Sequence, residues 1–353
     1  MAFQVNGTTI IQDTTDVNLG QNAVATAQSI SIGNLAGSSG FGNTAIGYNS
    51  LADGSGAYNV VIGIDAMSGR LSPRAPTSGS ANVMVGRDSG MELGSGSDNI
   101  GIGYGALKNA TNSSFSIGIG TDALKNNAQS LTNNVAIGHQ SLSIITTSRH
   151  NVAVGTEAGE NATGGSSGYN VFIGRAAGRS CTGDTSVYIG GQIGVSGGTT
   201  LARVSSGSNN IVIGYAAEPS TTTVSSEITL GNGFITALRC AQPTITTISD
   251  ERDKKDIEDL DWSIDFIKDM RPVKFAWDKR DGGLEGIKAV GFIAQELDAL
   301  EEKYNSQEYT RLVYKENTEK LEATPLNTYP IVIKALQDII TRIEKIEEKL
   351  NSL

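Results

Sequence analysis

The sequence predicts a mainly β protein: a trimeric parallel β-roll or solenoid of ~17-residue repeats, followed by a small α+β domain ending in a trimeric coiled coil. Three observations predict it. A short β-branched motif closed by glycine recurs from about residue 30 to 233. Composition changes abruptly near residue 249. Apolar residues then fall at alternating spacings of four and three through the last 22 residues.

The repeat comes first. It reads Asn-Val-x-Ile/Val-Gly-x-x-Ala, as in Asn59-Val60-Val61-Ile62-Gly63, Asn82-Val83-Met84-Val85-Gly86, Asn134-Val135-Ala136-Ile137-Gly138 and Asn151-Val152-Ala153-Val154-Gly155. Asn170 to Gly174 and Asn210 to Gly214 repeat it, and looser copies end at Gly33, Gly47, Gly103, Gly120, Gly190 and Gly231. β-branched residues in alternation suit a short strand. The two apolar positions flanking the variable one share a face. Glycine ends the strand where the chain turns tightly or takes positive φ. Asparagine closes a turn or ladders with the asparagine of the next unit. The small residue three after glycine (Ala66, Ala106, Ala123, Ala158, Ala177, Ala217) fits a crowded corner. One unit buries too little alone, so neighbours stack, and association of several rolls adds burial. Two longer excursions, Ser68–Ala81 and Val195–Ser208, are either exposed binding loops or irregular spacers.

Composition excludes several classes. The chain has 353 residues, 43 of them Gly, with net charge −10. Glycine at every third position is absent, which removes collagen. No apolar run is long enough to span a bilayer. The opening Met1-Ala2-Phe3-Gln4-Val5-Asn6-Gly7 lacks the basic and apolar regions of a secretory leader. Two cysteines, Cys181 and Cys240, exclude a disulfide scaffold or a four-cysteine zinc site and are expected to be reduced and half-buried. The acidic balance argues against nucleic acid or an anionic membrane as partner. No cofactor or metal is expected. Glu157, Glu160 and Asp184 are scattered carboxylates, expected to be solvated rather than paired for catalysis.

Four segments follow. Residues 1–29 form an N-terminal anchor or a solenoid cap, with a β-hairpin around Asn6-Gly7. Residues 30–248 form the repeat shaft; residues 1–248 together hold 10 Lys+Arg and 13 Asp+Glu, and residues 249–353 carry 17 and 24. Residues 249–330 form the α+β domain, with helices expected at 257–270 and 294–304, strands at 273–277 and 287–293, and a turn at Asp281-Gly282-Gly283. Residues 331–353 form the coiled coil. Its seam is Val332, Leu336, Ile339, Ile343, Ile346, Leu350 and Leu353; Leu or Ile at a with Ile at d favours trimers or tetramers over dimers.

The Asn-Val-Ala-Ile-Gly-x-x-Ala unit resembles the head repeat of trimeric autotransporter adhesins, and similar repeats occur in phage fibres. That resemblance implies an elongated homotrimer. Downstream, Ser249-Asp250-Glu251-Arg252-Asp253-Lys254-Lys255-Asp256-Ile257-Glu258 is followed in order by Met270-Arg271-Pro272-Val273-Lys274-Phe275-Ala276-Trp277 and Val290-Gly291-Phe292-Ile293-Ala294-Gln295-Glu296-Leu297. This set resembles the C-terminal intramolecular chaperone domain of phage tailspikes and fibres, the self-processing endosialidase type. The resemblance implies a domain that trimerises, templates the upstream β-structure and cuts itself off before the motif serine.

On that resemblance the scissile bond is Ile248–Ser249, Ser249 is the nucleophile and Lys254 the general base, with Asp250 and Arg252 orienting the loop. A serine hydroxyl needs a nearby base. The two histidines, His139 and His150, both precede residue 249, so no Ser-His pair lies within the domain. The family more often carries an aliphatic residue where this chain has Asp253. Without the resemblance, the charged stretch reads as a solvated helix start capped by Ser249.

The functional expectation is a phage virion fibre or spike, homotrimeric and assembled in the host cytoplasm. Its N-terminal region would join tail, neck or baseplate proteins, and its body would adsorb to a host surface glycan or protein receptor. The alternatives are a tailspike polysaccharide depolymerase and a bacterial trimeric adhesin.

Overall fold

The structure is a computed structural model. It describes residues 3–5, 8–11, 16–26, 28–37, 39–52, 54–69, 77–126, 132–145, 148–163, 168–191, 206–235, 237–241, 245–280 and 284–352. The chain divides into two compact units, Met1–Asn232 and Gly233–Leu353.

The first unit opens with β1 (Phe3–Val5) and β2 (Thr8–Ile11), paired antiparallel. The Asn6-Gly7 turn residues lie outside the described set, as do 70–76 and 195–205 of the two excursions. Next comes one parallel sheet whose thirteen described strands stack in chain order, from Val17–Leu19 to Ile228–Leu230. Each strand is three residues long and lies in register with its neighbours, as Val135, Ala136 and Ile137 do with Val152, Ala153 and Val154. The sheet thus begins at Val17, one turn before the Gly33 copy.

The middle residue of each triplet points inward. Val61, Met84, Ala136, Ala153, Phe172 and Val212 are buried, while the residues on either side are exposed or half-buried. The two flanking apolar positions therefore do share a face, but it is the outer one. Every described outward strand position except Thr44 is Val, Ile or Leu. At the usual spacing between strands, this stripe runs about 60 Å.

The narrow core is filled by size complementarity between strand and corner. A Cβ on Gly178 would lie 2.1 Å from Cδ1 of Phe172, and one on Gly159 would lie 2.6 Å from its Cδ2. Where the strand residue is small, the corner residue is large: Gly118 faces Leu107, 3.4 Å from its notional Cβ. The corner alanines Ala66, Ala106, Ala123, Ala158, Ala177 and Ala217 are fully buried. The strand-ending glycines are backbone contacts. Gly155 has φ 135° and a Cβ there would meet the carbonyl oxygen of Gly174 at 2.6 Å, so no side chain fits.

Ahead of each strand runs a buried polar ladder. Asn43 Oδ1 accepts from Asn59 N at 2.8 Å, Asn59 Oδ1 from Asn82 N at 2.9 Å, and Asn82 Oδ1 from Asn99 N at 3.0 Å. Ser116 and Ser186 take asparagine's place in two turns, their hydroxyls accepting from Asn134 N at 3.4 Å and Asn210 N at 3.1 Å. The ladder satisfies backbone donors that the chain would otherwise bury unpaired.

Three expectations of this unit need correction. Glu157 and Glu160 are not simply solvated: Arg179 pairs with both, at 3.3 and 2.6 Å. Asp184 accepts from Gly168 N at 2.9 Å, tying adjacent turns. Cys181 is fully inside the core, where burial pushes its thiol up to about 11. Cys240 is the opposite case, exposed on the segment after the solenoid.

The second unit packs α1 (Ile264–Asp269), α2 (Ala294–Tyr304), α3 (Gln307–Thr310) and α4 (Tyr329–Asn351) with two short antiparallel strand pairs. Val273–Ala276 pairs with Lys288–Gly291, and Val313–Tyr314 with Glu322–Ala323. Phe266, Leu297, Leu300, Leu312 and Ile331 form the core, with Leu260 and Trp262 packed against it. The helix expected over 257–270 is shorter. Leu260 and Trp262 reach the core two residues apart, an extended spacing, and the helix starts only after Ser263, whose Oγ donates to Asp338 on α4 at 2.5 Å. Residues 281–283 lie outside the described set. Glu301 is buried, one oxygen accepting from Thr310 Oγ1 and Leu312 N, both at 2.6 Å.

Candidate functional site

The chain reaches the site as an exposed stretch outside any helix or strand. Ile245 and Ile248 are 94% and 89% exposed, the highest among the large apolar residues described. A single 3-10 turn, Glu251–Asp253, then folds the chain back. Its N-cap is Asp250 rather than Ser249. The Asp250 carboxylate accepts from Arg252 N at 2.9 Å and is gripped by the same residue's guanidinium, Nε at 2.9 Å and Nη2 at 2.6 Å. That fork holds the Asp250 carboxyl below its ordinary value. At the far end Lys254 N donates to Glu251 O at 3.1 Å.

The turn returns Lys254 to the start of the motif. Its Nζ donates to Ser249 Oγ at 2.7 Å and to Ser249 O at 3.3 Å. The two residues expected to act as nucleophile and base are thus within hydrogen-bond reach of each other. Asp250 and Arg252 bond to each other and fix the turn that sets this distance, while Ser249 and Lys254 contact each other. Both dyad residues are exposed in the single chain.

The two downstream motifs meet away from the dyad. Arg271 forks onto Glu296, its Nε 3.0 Å from Oε2 and its Nη2 closer still to Oε1, which lowers the Glu296 carboxyl. This pair rims a groove of about 410 Å³ floored by Met270, Phe292, Leu297 and Leu300. The pairing was not legible from spacing, since the two partners are 25 residues apart on different elements.

The helical tail splits its faces. Ile331 and Ala335 are buried in the domain core, whereas Leu336, Ile339, Ile343, Ile346 and Leu350 are 41–63% exposed and Val332 is half-buried. Two residues outside the heptad reading, Ile333 and Ile340, are exposed as well. Leu353 lies outside the described residues. Among the described residues no helix is long and apolar enough to cross a membrane, and no cluster of His, Cys, Asp or Glu has metal-site geometry.

Comparison with known proteins identifies one segment. Residues 249–305 match the family described as chaperone of endosialidase. No curated protein and no solved structure matches the chain.

Proposed function

We propose that this chain is the subunit of a homotrimeric bacteriophage fibre or spike that adsorbs to a host surface. Its C-terminal domain aligns three chains and then severs the Ile248–Ser249 bond. The observation that carries the reading is the chaperone-of-endosialidase match at 249–305, directly after a parallel β-solenoid. That placement suits a domain acting on an upstream β-structure.

Two surfaces support three-fold association. The outer strand stripe is aliphatic throughout the described strands but for Thr44, a row of apolar side chains that a neighbouring copy could cover. The exposed face of α4 adds a seam whose core residues favour three or more helices. Parallel sheets and interchain contacts form slowly, so a domain that first fixes three chains in register removes a step prone to mispairing.

The test is intact mass under denaturing conditions, paired with sedimentation of the native material. Wild type is expected to be trimeric and to yield a 1–248 fragment; Ser249→Ala should be trimeric and full-length. A monomer in both cases, or a 1–248 fragment that persists in Ser249→Ala, defeats the reading.

A further inference from the structure

We propose that the two flanks of the aliphatic stripe are mating surfaces for each other on neighbouring copies. The flank leading into each strand of one copy meets, rung for rung, the flank leaving the same strand on the next. The proposal rests on the three-fold association read above and specifies its contacts. Its first support is the width of the outward row, which is four positions and not two. Around Val60–Ile62, the side chains of Tyr58, Val60, Ile62 and Ile64 are exposed, while Asn59 and Val61 between them are buried. Other turns repeat this: Asp98 and Tyr104 flank Ile100–Ile102, Asn133 and His139 flank Val135–Ile137, and Tyr169 and Arg175 flank Val171–Ile173, all six exposed. Six residues of extended chain across and about 60 Å along give a face of about 1,200 Å² in outline. A standard interface takes about 800 Å² from each partner.

The leading flank carries more bulk than its backbone calls for. Tyr58, Asp98 and Tyr169 have φ of 60°, 58° and 58°, and Gly42 holds the same corner ahead of Asn43 with φ 66°. Glycine or asparagine closes such a left-handed corner at less cost than tyrosine, so these side chains serve something other than the turn.

Symmetry then fixes which residues meet. Rotation about an axis along the stack leaves heights unchanged, so in a ring of parallel copies each leading position faces the trailing position of its own rung. The rungs are complementary. The Tyr104 hydroxyl can donate to the Asp98 carboxylate of the next copy, and the Arg175 guanidinium to the Tyr169 hydroxyl. Asn133, whose amide nitrogen lies 3.3 Å from His150 Nε2, keeps its oxygen for a His139 ring N–H. Among the described residues, the side chains of Asp98, His139 and Arg175 have no hydrogen-bond or ion-pair partner within their own chain. Arg87 is the contrasting case. Its rung offers only Ala81, and it is occupied at home, over the Tyr104 ring at 5.9 Å and 3.9 Å from Asp88.

Cross-linking tests this directly. The full chain carries Cys240→Ser, to remove the exposed thiol, and one of two matched cysteine pairs: Asp98→Cys with Tyr104→Cys, or Tyr169→Cys with Arg175→Cys. A control pairs Asp98→Cys with Thr156→Cys, three rungs up and about 14 Å along the stack. Each protein is sedimented, treated with a short bismaleimide and run on a denaturing gel. Within one chain the matched cysteines lie about 20 Å apart across the face, beyond the reagent, so a link joins copies. The expected result is loss of the monomer band to a covalent trimer in both matched pairs and retention of monomer in the control. Trimers by sedimentation whose matched pairs stay monomeric on the gel, or link no better than the control, overturn the mating flanks and leave three-fold association standing. Covalent dimers alone at saturating reagent overturn the closed ring of three. A monomer by sedimentation in the Cys240→Ser parent removes both readings.

Discussion

Replacing Asn82 by alanine tests the ladder at a single rung. The Asn82 side chain accepts at Oδ1 from Asn99 N and Asn99 Nδ2, both at 3.0 Å, and donates from Nδ2 to Asn59 Oδ1 at 3.1 Å and Gly96 O at 3.0 Å. Asn59, Asn82 and Asn99 are fully buried, so water does not replace the lost partner. Asn99 N–H loses its acceptor outright and Gly96 O loses this donor. Asn59 Oδ1 keeps Asn82 N at 2.9 Å, and Asn99 Nδ2 keeps Ser113 O at 2.7 Å. Each stranded buried group costs about 1–3 kcal/mol, which puts Asn82→Ala at about 2–6 kcal/mol. Asn82→Ser should lose roughly half of that, because a hydroxyl restores an acceptor as Ser116 and Ser186 do in their own turns. Asn82→Asp should be worst, since it sets a carboxylate oxygen against Gly96 O and Asn59 Oδ1. The measurement is the guanidinium unfolding midpoint of the intact chain, with the m-value monitored. An Asn82→Ala change within about 0.5 kcal/mol of wild type, or a serine no better than alanine, refutes the ladder's energetic role.

Gly178→Ala drives a methyl into Phe172 and should destabilise by about 1–3 kcal/mol, with Phe172→Leu in the same chain recovering part of the loss in a double-mutant cycle. Tyr304 donates to Asp269 at 2.6 Å, and this bond raises its phenol from 10.0 to about 12. A raised acid stabilises the fold below its unfolded pKa and loses that contribution as pH climbs from 10 through 12. An absorbance titration should therefore show a late phenolate step that Tyr304→Phe removes. Asp253 puts a carboxylate one residue before Lys254, so Asp253→Leu should speed appearance of the 1–248 fragment; an unchanged or slower rate shows that this charge does not govern cleavage.

The repeat was legible because period, strand and glycine coincide, and so were the laddered asparagines and the corner alanines. The direction of each triplet was not. Three residues in alternation say that positions one and three share a face, not which face meets the core. Two aliphatics flanking Ala136 or Gly118 look like an inward pair until the corner leucines Leu142 and Leu107 are seen to fill the inside. The turn at Val17–Leu19 escaped because its unit, Val17-Asn18-Leu19-Gly20, lacks the leading asparagine. In the second unit, Asp259 and Asp261 alternate with Leu260 and Trp262, a pattern a helical reading absorbs but an extended segment satisfies better. At the site, the five-residue separation of Ser249 and Lys254 was plain, while the agent of their approach, a turn clamped by Asp250 and Arg252, came only with geometry.

A molecule in which turn after turn offers its successor a waiting side-chain oxygen, from asparagine or serine, has no preferred size. Whole turns can be copied or dropped between two rungs without disturbing either end, since the incoming unit presents the same asparagine, triplet and glycine. Reach can therefore change in increments of about 4.8 Å, while any insertion that is not a full circuit must be looped outward, clear of the stack.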